Sequence, residues 1–303
     1  MTARQTMAQQ TVEERPGRST GTDIRAQLLA GLPVTERRVQ AGGISTAVLE
    51  GGDGPPVLLL HGPGEHAPKW MRVIPHLVET HRVVAPDLPG HGATEMPGGP
   101  IDGPSMLAWL GELIDRTCSS PPAIVGQIVG GAMAARFAID HGDRVARLVL
   151  VDMLGLAPFQ PAPQFAAALH DFMTQPNADT HDGLWRECAF DLDAMRAGMG
   201  DRWEQLKAYN LDLASGPTLL AAEHALIGEF GMAPIPAEEL ARITVPVTLI
   251  WGRHDLATSL GVATAASARH GWPLRIIENA GDDPAMEQPE AFVRVLRDIL
   301  GGS

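Results

Sequence analysis

The residues of this sequence with the most chemical capacity lie in glycine-containing turns, each at the end of a short apolar run. His61-Gly62-Pro63-Gly64-Glu65-His66 follows Pro56–Leu60, and Asp87-Leu88-Pro89-Gly90-His91-Gly92 follows Val83–Ala85. Gly126-Gln127-Ile128-Val129-Gly130-Gly131 follows Ala123–Val125. Gly252-Arg253-His254-Asp255 follows Val245–Trp251, and Ala280-Gly281-Asp282-Asp283-Pro284 follows Leu274–Glu278. Glycine and proline at 62–64 let backbone N–H groups point into a cleft, and the glycines of the third turn lift its central residue into the same cleft. That residue is Ile128, which has no heteroatom. Covalent catalysis needs an activated nucleophile with a base beside it, so no acyl-enzyme can form at Ile128. The chemistry left to these turns is acid–base chemistry by carboxylates and imidazoles. The histidines in or near them are His61, His66, His91 and His254.

The elements that must hold these turns are legible from periodicity. Thr35–Val39 and Thr46–Glu50 alternate around Ala41-Gly42-Gly43 and read as a hairpin. Pro56–Leu60, Val83–Ala85, Ala123–Val125 and Leu148–Val151 are continuously apolar, as strands covered on both faces should be. Helical patterns lie around Trp70–Leu77, Met106–Arg116 and Gly131–His141, with Ser105 expected to cap the second of these. This alternation predicts right-handed crossovers and a parallel sheet. From about Leu156 to Pro236 no strand-like run occurs, and helical patterns cover Gln164–Met173, Leu184–Leu192, Arg202–Leu213 and Thr218–Phe230. The strand pattern resumes at Val245–Trp251 and Leu274–Glu278, before a last helix at Pro289–Leu300. Residues 1–21 read as a disordered tail, with a short helix expected over Asp23–Ala30. The expected organisation is a core over 22–156 and 237–303, interrupted by a helical insertion over 157–236.

The ordered set of turn motifs resembles the α/β-hydrolase family, in the branch with a helical cap that includes epoxide hydrolases, dehalogenases and C–C hydrolases. The resemblance covers about residues 35 to 300 and implies an α/β fold with a mostly parallel sheet flanked by helices. In that family the catalytic triad runs nucleophile, acid, histidine along the chain. Those positions fall here on Ile128, Asp255 and Asp282, so only the acid is retained. The family's oxyanion hole would use the N–H of Val129 and one from Pro63 or Gly64, and Pro63 has no N–H to give. Asp282 in place of the histidine would bring its carboxylate towards Asp255. Like charges in contact cannot both ionise cheaply, which makes one of the pair a usable general acid or base near neutrality. The alternative for Asp282 and Asp283 is a pair of solvated loop residues. Asp255, Asp282 and His66 are therefore the candidate catalytic residues. Gly62, Pro63, Gly64, Glu65, Trp70, Gln127, Ile128, Val129, His254 and Asp283 are the candidate substrate-binding residues. His61 and His91 read as structural.

Composition narrows the partners. Lys and Arg number 23 against 36 Asp and Glu, a formal charge of −13, which argues against nucleic acid or an anionic membrane as partner. Two cysteines without C-x-x-C spacing do not make a disulfide framework. No signal peptide or membrane-length apolar run is visible, so a cytoplasmic location is expected. The turn at 126–131 does not match the dinucleotide fingerprint, and Asp255, His254 and Asp282 do not have a metal-ligand spacing. No cofactor or metal is expected, and the oligomeric state is open.

Three readings follow. The first is a non-hydrolytic enzyme, a lyase, isomerase or cyclase, acting on an apolar small molecule in natural-product biosynthesis. The second is a hydrolase or hydratase that activates water directly with Asp255 or His66. The third is a catalytically inactive small-molecule-binding protein. Aromatic and Met residues of the insertion would line an apolar pocket above Ile128.

Overall fold

Apolar runs bounded by turns become the strands of one sheet. In the computed structural model, which describes residues 21–301, these are β1 (Thr35–Ala41), β2 (Ile44–Gly51), β3 (Pro56–Leu60), β4 (Arg82–Pro86), β5 (Ala123–Gln127), β6 (Arg147–Val151), β7 (Val247–Gly252) and β8 (Leu274–Ile277). They are ordered β1-β2-β4-β3-β5-β6-β7-β8. The β1–β2 and β2–β4 pairings are antiparallel and the rest are parallel. Every residue of β3 and β5 is buried, as runs covered on both faces require. The edge strand β1 carries Glu36, Arg37 and Arg38 to solvent, which blunts pairing with another chain.

Each face of the sheet has its own core. One gathers Trp109 and Phe137 from the helices Gly103–Thr117 and Val129–Asp140. The other gathers Trp70, Ile74 and Leu77 with Phe292 and Leu296 of the helix Pro289–Gly301. The N-cap of Gly103–Thr117 is Asp102, which accepts the Ser105 N–H at 2.9 Å, in place of the expected Ser105. The expected helix around Trp70–Leu77 is split into a 3-10 turn, Ala67–Arg72, and a short helix, Ile74–Leu77. The helix Leu260–His270 carried no expectation.

Between β6 and β7 the described residues form no strand but a series of helices: Pro163–Thr174, Ala178–Cys188, Leu192–Met199, Asp201–Ala214, Pro217–Phe230 and Ala237–Leu240. The pattern at Leu184–Leu192 is divided in two, because Asp191 accepts the Ala194 N–H and starts a new helix. A third apolar cluster joins Leu28 to Met195, Trp203, Leu206 and Tyr209, so the first helix, Gly21–Leu29, packs on the inserted ones. The expected tail lies outside the described residues except for Gly21, where that helix begins. No helix among the described residues is long and apolar enough to cross a membrane.

Candidate functional site

The turn after β5 is forced by close backbone contact. A Cβ on Gly126 would stand 2.5 Å from the Gly130 carbonyl oxygen, and one on Gly130 would stand 2.7 Å from the carbonyls of Leu60 and His61. Ile128 then takes φ 49°, a conformation that a β-branched residue adopts only under tertiary constraint. Its side chain reaches the floor of a cavity of ≈ 170 Å³ at the C-terminal ends of the strands, roofed by the inserted helices. Of the expected binding residues, Pro63, Gly64, Glu65, Gln127, Ile128 and Asp283 line this cavity, and so does Asp282.

The others lie elsewhere. Trp70 is fully buried in the core, 6.4 Å from the Phe292 ring, so it packs the sheet and does not line the cavity. His254 stacks on Phe190 with ring centroids 4.4 Å apart, outside the cavity lining. Gly62 donates its N–H to Glu65 Oε2 at 2.6 Å. With that N–H taken and none at Pro63, the loop after β3 is poor in free donors. Val129 is buried as the first residue of its helix. His61 binds the Gly62 carbonyl and accepts the Leu88 N–H, both within 2.9 Å, and so ties the loops after β3 and β4 together. Asp87 adds to that tie by accepting the N–H groups of Ala67 and Ala93.

His66 is buried behind the cavity wall. Its Nε2 donates to Asn210 Oδ1 at 3.0 Å, and Asn210 Nδ2 donates to His181 Nε2 at 3.2 Å. Asn210 and His181 do line the cavity. Burial pushes His66 down to about 3 and His181 to about 4, so both are neutral imidazoles at physiological pH.

Asp255 is also set back from the cavity. Its carboxylate is saturated by the N–H groups of Ala257 and Thr258 and by the Thr258 hydroxyl. Burial raises it to about 6 against those hydrogen bonds. Beside it stands Asp152, which follows β6, is fully buried, and accepts the Gly252 N–H at 2.9 Å. Burial and then the charge of Asp255 push Asp152 well up, so the two carboxyls titrate together.

Asp282 is the group that faces ligand space. Its N–H donates to the Cys188 carbonyl at 3.1 Å, and its own carbonyl accepts from Gln127 Nε2 at 2.8 Å. Burial, then Asp255 and Asp283, hold its carboxyl well above the ordinary range. It is therefore a neutral acid able to donate a proton or hydrogen bond. Asp283 is not solvated: it pairs with the buried Lys69 at 3.1 Å, and Lys69 also pairs with Glu65 at 3.0 Å. Lys69 is thus consumed by carboxylates on both sides.

Several lining residues carried no sequence expectation. Cys188 presents a thiol, which burial and then the carboxyls of Asp282, Asp283 and Glu65 hold in its protonated form, so it is no thiolate nucleophile. Glu223 presents a carboxyl from the helix Pro217–Phe230. Its signal lies in helical spacing: Leu219, Ala222, Glu223, Leu226 and Phe230 form one buried face, and Glu223 is its one acidic member. His181 likewise shares a face with Leu184, Trp185 and Cys188, all of which line the cavity.

A family model described as alpha/beta hydrolase fold matches residues 55–289. The chain is 28% identical, over 88% of its length and 90% of the relative's, to a 2-hydroxy-6-oxo-6-(2'-aminophenyl)hexa-2,4-dienoic acid hydrolase of Metapseudomonas resinovorans. It is 27% identical, over 84% of its own length, to the dihydrolipoyllysine-residue acetyltransferase component of an acetoin cleaving system of Cupriavidus necator, and spans 65% of that protein. Among solved structures it is similar to 2-hydroxy-6-oxo-6-phenylhexa-2,4-dienoate hydrolase from Rhodococcus sp. strain RHA1. That likeness has a TM-score of 0.76 and 26% identity, over 88% of this chain and 98% of the other.

Proposed function

We propose a function from one premise: this chain belongs to the family of the alpha/beta hydrolase fold. Its members matched above are mostly named as hydrolases, and this chain carries Ile128 at the turn and Asp282 after Gly281. The reading is an enzyme acting on an apolar small molecule without a covalent intermediate, as a lyase, isomerase or cyclase, with the inserted helices as its cap. The observation that carries it is Asp282, a neutral carboxylic acid in the cavity beside Ile128 and Gln127. In this reading Asp282 protonates or hydrogen-bonds a leaving or enolising oxygen, while Ile128 and the aromatic walls fix the substrate by shape. Asp255 and Asp283 act through Asp282, their charges keeping it protonated.

A second reading, direct hydration or hydrolysis, draws support from the relatives' names. It has less support in the site, since Asp255 is saturated by its own turn and His66 sits behind Asn210. The test is intact-mass and product analysis. The native protein, exposed to p-nitrophenyl esters, is expected to form no acyl adduct. Incubated with mixed apolar metabolites, it is expected to yield products isomeric with substrate or lighter by water, and Asp282→Asn is expected to abolish them. An acyl adduct, products heavier by water, or full turnover by Asp282→Asn would overturn the reading. Ligand retained unchanged would favour a binding protein.

A further inference from the structure

Among the described residues, two acceptors in the cavity lining, Glu223 and Gln127, have no donor. Glu223 is 8% exposed, lines the cavity, and has no hydrogen-bond donor or cation against it among the described residues. Gln127 Oε1 is buried without a donor, because the amide uses its NH₂ on the Asp282 carbonyl. The buried cation Lys69 is held by Glu65 and Asp283. The other titratable groups of the lining are His181, Cys188 and Asp282, and none of them bonds to Glu223. A ligand that completes this site must bring donors to Glu223 and Gln127, while the neutral Asp282 offers a donor to an acceptor of its own.

The position of Glu223 sharpens that requirement. A Cβ built on Gly64 would stand 3.5 Å from Glu223 Oε1, so the carboxylate borders the loop where an oxyanion would be stabilised in a hydrolase of this fold. A negative group there opposes an anion and favours a cation. Phe165, Phe172 and Trp185 supply aromatic walls, whose ring faces attract cations. The volume of ≈ 170 Å³ is comparable with apolar cavities of about 150 Å³ that hold a benzene ring.

We propose that this cavity takes an apolar amine in its protonated form, the ammonium set against Glu223 and Gln127 and the hydrocarbon against the aromatic wall. The proposal deepens the function above and rests on its reading of the cavity as the substrate site. Glu223 lies at about 7 because burial disfavours its charge. An ammonium ligand restores the charged form, so binding releases a proton below pH 7.

The test is calorimetric titration of the full chain with phenethylamine, phenethyl alcohol and phenylacetate. Near pH 8 the amine is expected to bind about tenfold more tightly than the alcohol, with phenylacetate weakest. Amine affinity should rise between about pH 5 and 8 and level off above, while alcohol affinity stays flat. Glu223→Gln should remove the amine preference and its pH dependence yet keep alcohol binding. Should that variant not fold, the pH profile and the three-ligand ranking of the native chain still carry the test. Equal binding of amine and alcohol, or an amine preference that survives in Glu223→Gln, would overturn the amine assignment and leave the cavity as a ligand site. No binding by any of the three would overturn both this proposal and the function it rests on.

Discussion

Glu223 carries a carboxyl raised from 4.5 to about 7, and burial is the whole cause. A raised carboxyl contributes stability below its unfolded value and loses it as pH rises through the folded one. The native chain therefore holds a charge near pH 8 that the cavity does not satisfy, worth roughly 3 kcal/mol at full burial. Glu223→Gln should then be more stable than the native chain at about pH 8, and indistinguishable from it near pH 4. Urea unfolding midpoints at the two pH values measure this. A variant no more stable than native at the higher pH would show that Glu223 has a partner in solution. Ile128 makes the complementary point. Its backbone keeps φ 49° although it carries no nucleophile, in a turn packed so closely on the carbonyls of Leu60, His61 and Gly130 that neither Gly126 nor Gly130 has room for a Cβ.

At the scale of elements, the roof is joined to the floor by a short seam. Asp282 N–H donates to the Cys188 carbonyl, and Glu287 accepts the N–H groups of Phe190 and Gly281 at 2.6 and 2.8 Å. The end of the helix Ala178–Cys188 is thereby fixed over the loop that carries Asp282. Glycine is required at 281, since a Cβ would lie 1.9 Å from the Cys188 carbonyl oxygen. Gly281→Ala should cost about 1–3 kcal/mol and shift the fluorescence of Trp185, as the roof helix is pushed away. Gly183 on the same helix has nothing within 4 Å of its Cβ position, so Gly183→Ala should stabilise by roughly 0.5–1 kcal/mol. Thermal unfolding of the two variants, moving in opposite directions, checks the seam.

Over the whole molecule, buried titratable groups of two kinds oppose each other. Burial raises the carboxyls Asp255, Glu223 and Glu287 to about 6, 7 and 8, so they withdraw stability as pH rises through those values. Burial lowers His66, His91 and His181 to about 3, 4 and 4, so folding resists their protonation and stability is lost as pH falls below 6.5. Between about pH 4 and 6.5 the two effects oppose each other, and above about pH 6.5 the carboxyls act alone, so stability should fall from there towards pH 9, as thermal midpoints across a pH series would record. A plateau extending to pH 9 would mean that the carboxyls gain counter-charges in solution.

The amino-acid sequence determined the sheet, the turns and the identity of Ile128, Asp255 and Asp282. Continuous apolar runs can be buried only as strands covered on both faces, and the glycines at their ends allow few paths. The insertion was legible as helices, though a break at Asp191 was hidden inside one apolar pattern. Only the tertiary structure decided which residues meet. Trp70 and Val129 joined the core, His254 stacked on Phe190, and Asp152 came to stand beside Asp255. Glu223, His181 and Cys188 belong to no turn motif, and their approach to Asp282 and Gly64 depends on how the inserted helices dock. Helical periodicity fixes which face of a helix is buried, but contacts between residues far apart in the chain arise only when those faces pack.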